Sequence, residues 1–216
     1  MTTLLNIGPA KNGTTSVFNF LGKHPEIELS ITKEPLMEGY SMERPDEYYS
    51  LWRRDNKVWL DGTPGFFTKA ATRFSIETAK SLKFDEIKLI YLIRPHFKYF
   101  ISTMINMGTK IVMLLPEHYL YSNVLERTAK RLGKENIFVI RLDKVEEKQS
   151  EIWKFLNVDD DVYKYKLPVE NESFIKDEMA YIKWSKRLAG ELKYGPLSNL
   201  ISEDRERLKN EWNIQI

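Results

Sequence analysis

Three groups of residues in this chain have types and spacings that could do chemistry. The first is Gly8-Pro9-Ala10-Lys11-Asn12-Gly13-Thr14-Thr15, which joins an apolar strand pattern at Leu4–Ile7 to a helical pattern at Thr14–Gly22. Glycines let backbone N–H groups turn inward, and a helix N-terminus adds positive potential, so the segment reads as an anion cradle. Thr14 and Thr15 place hydroxyls in the first helical turn, where they can donate to phosphate oxygens. A nucleotide-hydrolysing P-loop carries its lysine directly after the second glycine. Here Lys11 precedes Gly13 and Thr14 follows it, so the ammonium approaches from the loop. The bland alternative is a glycine turn ahead of a helix. The second group is Arg94, at the end of the apolar run Ile87–Ile93, with Ser102 on the next predicted helix, about two turns along. A planar, always-charged guanidinium and a hydroxyl could converge there on one phosphate. Otherwise Arg94 pairs with a surface carboxylate and Ser102 is incidental. The third group is the candidate bases Glu34, Asp61 and His24. A carboxylate or histidine in hydrogen-bond reach of an attacking group typically contributes about 10²–10⁴-fold. As structure alone, Lys33-Glu34 is a solvated charge pair and His24-Pro25 a helix-ending element.

The elements that must position these groups alternate. Strands are expected at Leu4–Ile7, Val58–Leu60, Ile87–Ile93 and Ile137–Ile140. Helices are expected at Thr14–Gly22, Phe67–Leu82, Pro95–Met107, Glu117–Leu132, Val145–Leu156 and Ser198–Trp212. Such alternation implies an α/β fold: three α/β/α layers with a mostly parallel central sheet, helices on both faces and ligands at the carboxyl ends of the strands. The loops after Ile7, Leu60 and Ile93 are therefore the expected site. With 216 residues, the chain is read as one domain, 1–216, large enough to bury a core without staples. It has no cysteine, which excludes disulfides, thiolate nucleophiles and cysteine-ligated metals. The 33 basic and 31 acidic residues are too balanced for non-specific nucleic-acid binding, so no nucleic-acid partner is expected. Met1–Ile7 has no basic n-region and no apolar run nears about 20 residues, so neither signal peptide nor membrane span is expected, and the cytoplasm is the default compartment.

The string Gly8-Pro9-Ala10-Lys11-Asn12-Gly13-Thr14-Thr15-Ser16, followed by Leu21 and His24-Pro25, resembles the 5′-phosphosulfate loop of sulfotransferases that use 3′-phosphoadenosine 5′-phosphosulfate (PAPS). Leu92-Ile93-Arg94-Pro95 with Ser102 resembles the same family's 3′-phosphate motif. The resemblance implies a P-loop NTPase-like fold, with PAPS as co-substrate and adenosine 3′,5′-bisphosphate (PAP) as product. It assigns Lys11 to the sulfate and bridging oxygen, and Thr14 and Thr15 to the 5′-phosphate, supported by Asn12, Gly13 and Ser16. It assigns Arg94 and Ser102 to the 3′-phosphate. Weaker likenesses run through Ile137–Asp143 with Val145-Glu146, Trp153–Val158 and Glu203–Leu208, so it spans nearly the whole chain. The family's late Arg-Lys-Gly string is missing; Lys164 and Lys166 are the candidate replacements. Thr32-Lys33-Glu34-Pro35 resembles the segment of the carbohydrate branch whose glutamate is the base, which favours Glu34, with Asp61 in reserve. A lysine often stands in that branch where this chain has Gly62.

The function implied is transfer of a sulfuryl group to a hydroxyl or amine on a small-molecule or carbohydrate acceptor. No metal is expected: His96 and His118 stand alone, and the strand before Arg94 does not end in the acid that helps hold Mg²⁺ in P-loop enzymes. Met104, Met107 and Met113 read as core or pocket lining, and Arg53, Arg54 and Lys57 as a solvated basic turn. A P-loop kinase, or a non-catalytic module that binds PAPS or PAP, stays open. The acceptor and the oligomeric state are not legible.

Overall fold

The computed structural model describes residues 2–35, 44–53, 56–63, 79–82, 84–107, 120–160, 165–168, 186, 190 and 196–215. Five strands form one sheet: β1 (Thr3–Gly8), β2 (Ile27–Leu29), β3 (Val58–Asp61), β4 (Glu86–Ile93) and β5 (Ile137–Arg141). Its order is β2-β3-β1-β4-β5, and every pairing is parallel. The helices are α1 (Thr14–Leu21), α2 (Pro45–Tyr49), α3 (His96–Met107), α4 (Tyr121–Leu132), α5 (Gln149–Leu156) and α6 (Pro196–Trp212).

The sheet is apolar on both faces because helices cover both. Along β4, Ile90 and Leu92 join Leu5, Ile7, Leu60 and Ile140 in a core with Val17, Phe18 and Leu21 of α1 and Ile152, Trp153 and Leu156 of α5. Leu89, Tyr91 and Ile93 face the other way, onto Tyr99 of α3, Tyr121, Val124 and Leu125 of α4 and Leu208 of α6. Leu4 and the tyrosine and tryptophan residues Tyr48 and Trp52 build a third cluster beside the latter, with Ala79 and Leu82. This is the expected three-layer α/β/α arrangement.

Several boundaries differ from the sequence reading. β2 and α2 were not anticipated. β2 is three residues long and exists through pairing with β3, Ile27 opposite Val58 and Leu29 opposite Leu60. α5 starts at Gln149, not Val145, because a 3₁₀ turn at Leu142–Lys144 leaves the strand first. α4 starts at Tyr121 and α6 at Pro196. Of the helix expected over Phe67–Leu82, only 79–82 falls among the described residues, and Arg54, Met113, His118 and Lys164 lie outside them. Among the described residues no helix is long and apolar enough to cross a membrane.

Candidate active site

β1 and β4 are neighbours in register, with Gly8 beside Tyr91. The loop after β1 and the residue after β4 therefore emerge side by side at the carboxyl edge. In the loop, Lys11 and Gly13 both adopt the left-handed region, at φ 67° and 86°. Gly13 is the N-cap of α1 and has no side chain to cap with; no acidic residue stands in the first turn. The helix start thus keeps its positive end towards the loop. A Cβ on Gly13 would lie 2.6 and 2.8 Å from the two methyl carbons of Leu142, so glycine is needed for room as well as for φ. Thr14 and Ser16 are buried, and Thr15 and Lys11 half-buried.

Arg94 meets this loop directly. Its Nη1 donates to the Lys11 carbonyl at 3.1 Å. Asn12 is fully buried and its Nδ2 donates to the Leu92 carbonyl at 3.0 Å. The Tyr121 hydroxyl accepts from the Arg94 N–H at 3.3 Å, and is 3.2 Å from Asn12 Oδ1 and 3.1 Å from the Arg94 carbonyl, to which it can donate. Burial first, and Tyr99 next, push the Tyr121 phenol well above the ordinary range, so the hydroxyl keeps its proton. Ser102 is buried on α3. Lys11, Asn12, Gly13, Thr14, Thr15, Ser16 and Arg94 therefore share one end of the two central strands.

A second wall follows β2 and β3. The chain after β2 is held by Ser30 N–H on the Leu60 carbonyl at 3.0 Å. It runs so close to Gly62 that a Cβ there would lie 2.6 Å from the Lys33 carbonyl oxygen. No side chain fits at Gly62, and the Lys33 stem occupies that space. Lys33 Nζ pairs with Glu34 Oε1 at 2.6 Å, with both side chains partly exposed. Asp61 ends β3 and is buried. Its Oδ2 accepts from the Tyr48 hydroxyl at 2.6 Å and its Oδ1 from the Thr63 N–H at 2.7 Å. Asn6 Nδ2 bridges the Asp61 and Thr63 carbonyls at 3.0 and 2.9 Å. Burial raises the Asp61 carboxyl above its ordinary range, against those hydrogen bonds, and the Glu34 charge pushes the same way. Glu34 thus has the more open carboxylate, and Asp61 one whose oxygens already have internal donors.

One candidate lies elsewhere. His24 follows α1 at the opposite edge of the sheet. Its Nδ1 accepts from the Glu26 N–H at 3.2 Å, so Nε2 carries the proton and donates to the Asp159 carbonyl at 2.9 Å. Both nitrogens are committed to a turn, about one helix length from the loop, which removes His24 as a base. The main chain at Lys166 lies beside the end of α1: its carbonyl accepts from Lys23 Nζ at 2.9 Å. Asp143 pairs with Arg141 at 2.7 Å. His96 is not solitary: its Nε2 donates to Asp204 Oδ2 at 2.7 Å. Tyr121, Tyr48 and Asn6 carried no motif and were not anticipated as parts of the site.

This is an α/β protein with a glycine loop and an arginine joined at the carboxyl edge of a parallel sheet, and the fold is that of sulfotransferases. It superposes on a sulfotransferase from Alicyclobacillus acidocaldarius with a TM-score of 0.68 at 15% identity, covering 100% of this chain and 97% of that one. It also superposes on the mouse sulfotransferase SULT7A1, solved in complex with PAP, with a TM-score of 0.50 at 12% identity, covering 94% and 88%. No protein-family model matches the sequence, and no curated protein does.

Proposed function

We propose that this protein transfers the sulfuryl group of PAPS to a hydroxyl or amine of a small-molecule or carbohydrate acceptor. The observation that carries the reading is the direct bond between the two anion-binding elements, Arg94 Nη1 to the Lys11 carbonyl at 3.1 Å, on a fold shared with sulfotransferases. That bond uses one of the five guanidinium N–H donors and leaves others for a phosphate. In this reading the loop N–H of Gly13, with Thr14, Thr15 and Ser16, holds the 5′-phosphate, and Asn12 keeps the loop in shape through the Pro9 and Leu92 carbonyls. Arg94 and Ser102 hold the 3′-phosphate that distinguishes PAPS from ATP.

The acceptor oxygen or nitrogen attacks sulfur in line. The bond from sulfur to the bridging oxygen breaks, and PAP leaves with the electron pair. Lys11 Nζ meets the bridging oxygen as its negative charge grows, an interaction stronger in the transition state than before it. Glu34 takes the acceptor's proton. Lys33 beside it keeps the carboxylate oriented, and Asp61 with Tyr48 and Thr63 stiffens the wall behind. The reaction so written uses no metal.

A thermal-shift titration tests the reading. PAP raises the melting temperature far more than ATP does, following RT ln(1 + [L]/Kd), about 2.7 kcal/mol at a hundred times Kd. Arg94→Ala removes most of the preference for PAP over adenosine 5′-phosphate. Equal shifts with ATP and PAP overturn the proposed 3′-phosphate subsite and favour a kinase. Tight PAP binding with no transfer of label from PAPS to any acceptor class leaves a binding module instead.

A further inference from the structure

The sheet brings the Lys11 loop and Arg94 to one edge, but the sheet ladder ends at Gly8 and Ile93. Beyond it the spacing between them depends on polar contacts that meet at Tyr121. This residue opens α4 and is fully buried. Its ring stacks on Tyr99 at 5.0 Å between centroids and meets Tyr91 edge-on at 6.1 Å, with the His96 ring tilted at 5.1 Å. Its N–H donates to Asp204 Oδ2 at 3.1 Å, and Asp204 sits on α6. Ring and backbone are thus held from both sides, so the hydroxyl has a defined position. From there it accepts from the Arg94 N–H and points its proton at Asn12 Oδ1 and the Arg94 carbonyl. Asn12 completes the tie, because its amide group donates to the Leu92 carbonyl on the strand that ends in Arg94. A side chain that belongs to neither phosphate-binding element therefore contacts both.

We infer that Tyr121 is a positioning residue whose hydroxyl sets the distance between the Lys11 loop and Arg94, and so the distance between the two phosphates a nucleotide must present. The inference rests on the proposed reading of those two elements as phosphate subsites. Tyr121 touches no phosphate in this account; it acts through Asn12 and the Arg94 main chain. Removing the hydroxyl leaves Asn12 Oδ1 and the Arg94 N–H short of a partner in a dry interior, which is costly. The loop then shifts towards water. A nucleotide with one phosphate tolerates the shift, since it uses one element. A bisphosphate does not, since it must satisfy both.

Tyr121→Phe in the full chain tests this, because it keeps the ring packing and deletes only the hydroxyl. Without ligand, hydrogen exchange at the Asn12 amide, bonded to the Pro9 carbonyl at 3.3 Å, rises about fivefold, the value of one neutral hydrogen bond. Amides of β1 and β4 keep their protection. In calorimetric titrations the ratio of Kd for adenosine 5′-phosphate to Kd for PAP falls by a similar factor. Asn12→Ala cuts the same contact from the loop side and leaves the packing of α4 alone, so it carries the same expectations if Tyr121→Phe does not fold. The double variant is less impaired than the sum of the two single effects, because they share the Tyr121–Asn12 contact while Asn12→Ala alone cuts the bond to Leu92 and Tyr121→Phe alone the bond from the Arg94 N–H. Unchanged exchange at Asn12, equal weakening of both nucleotides, or additive effects of the two substitutions each overturn the inference. A wild-type protein with no preference for PAP overturns the proposed function instead, and the exchange experiment still decides the role of Tyr121.

Discussion

Gly13→Ala perturbs the site at the point where loop, helix and core meet, and its cost can be worked from the structure. Two separable terms oppose the added methyl. Gly13 sits at φ 86°, and an L-residue in the left-handed region costs about 1–2 kcal/mol. The new Cβ also lies 2.6 and 2.8 Å from the Leu142 methyl carbons, well inside contact distance. Leu142 is partly buried where it packs against the core that holds Val17, Ile140 and Val145, so its methyls must give way and lose part of that packing. Overpacking of this kind costs about 1–3 kcal/mol. The sum is about 2–5 kcal/mol, and the melting temperature falls by about 2–4 °C for each kcal/mol in a chain of this size. Leu142→Ala in the same chain removes the steric term and leaves the backbone term. Equilibrium denaturation of the wild type, both single variants and the double variant isolates the coupling. The double variant is expected to be more stable than the sum of the single effects by about 1–3 kcal/mol. A Gly13→Ala protein as stable as wild type, or strictly additive effects, would refute this account of the loop.

Lys11→Ala is expected to lower kcat by about 10²–10³-fold while changing PAP affinity little, because the ammonium acts on charge that appears in the transition state. Glu34→Gln lowers turnover with PAP affinity kept; near wild-type turnover across the pH range would exclude Glu34 as base. Asp204 accepts from His96 Nε2, the N–H groups of Tyr121 and Ser122, and the Ser122 hydroxyl. Burial alone would raise its pKa, but the hydrogen bonds from His96 and Ser122 outweigh burial and hold it below the ordinary aspartate value. Its stabilisation is therefore complete above that ordinary value and is lost as pH falls through the lower folded one. Asp204→Asn turns an NH₂ towards existing donors and costs about 1–3 kcal/mol at neutral pH. Denaturation midpoints against pH check both points: the variant loses less stability than wild type in the acid window, and parallel curves would contradict the assignment.

The types of residue that could do chemistry, and the strands and helices that carry them, were legible in the sequence. The apolar run Ile87–Ile93 is long enough to require burial on both faces, and it appears as β4, Glu86–Ile93. Leu4–Ile7 before a glycine loop and a helical pattern appears as β1 and α1. These signals are local, since period and turn chemistry act over a few residues. β2 escaped because three residues carry almost no periodic signal, and its strand geometry comes from β3 beside it. The start of α5 escaped for a related reason: apolar Val145 is buried, yet by a 3₁₀ turn against the core. Convergence was decided only by the tertiary structure. Lys11 and Arg94 meet because β4 lies next to β1 while β3 takes the other side, an order that no local pattern specifies. The same order puts Glu34 and Asp61 on one wall and His24 at the far edge, a separation that the sequence, which ranked the three by motif, could not supply. Tyr121 read as an ordinary helical residue. Its hydroxyl gains meaning only when α4 packs across the ends of β1 and β4, because a hydrogen bond between residues 109 positions apart depends on how elements stack, and local spacing cannot encode that.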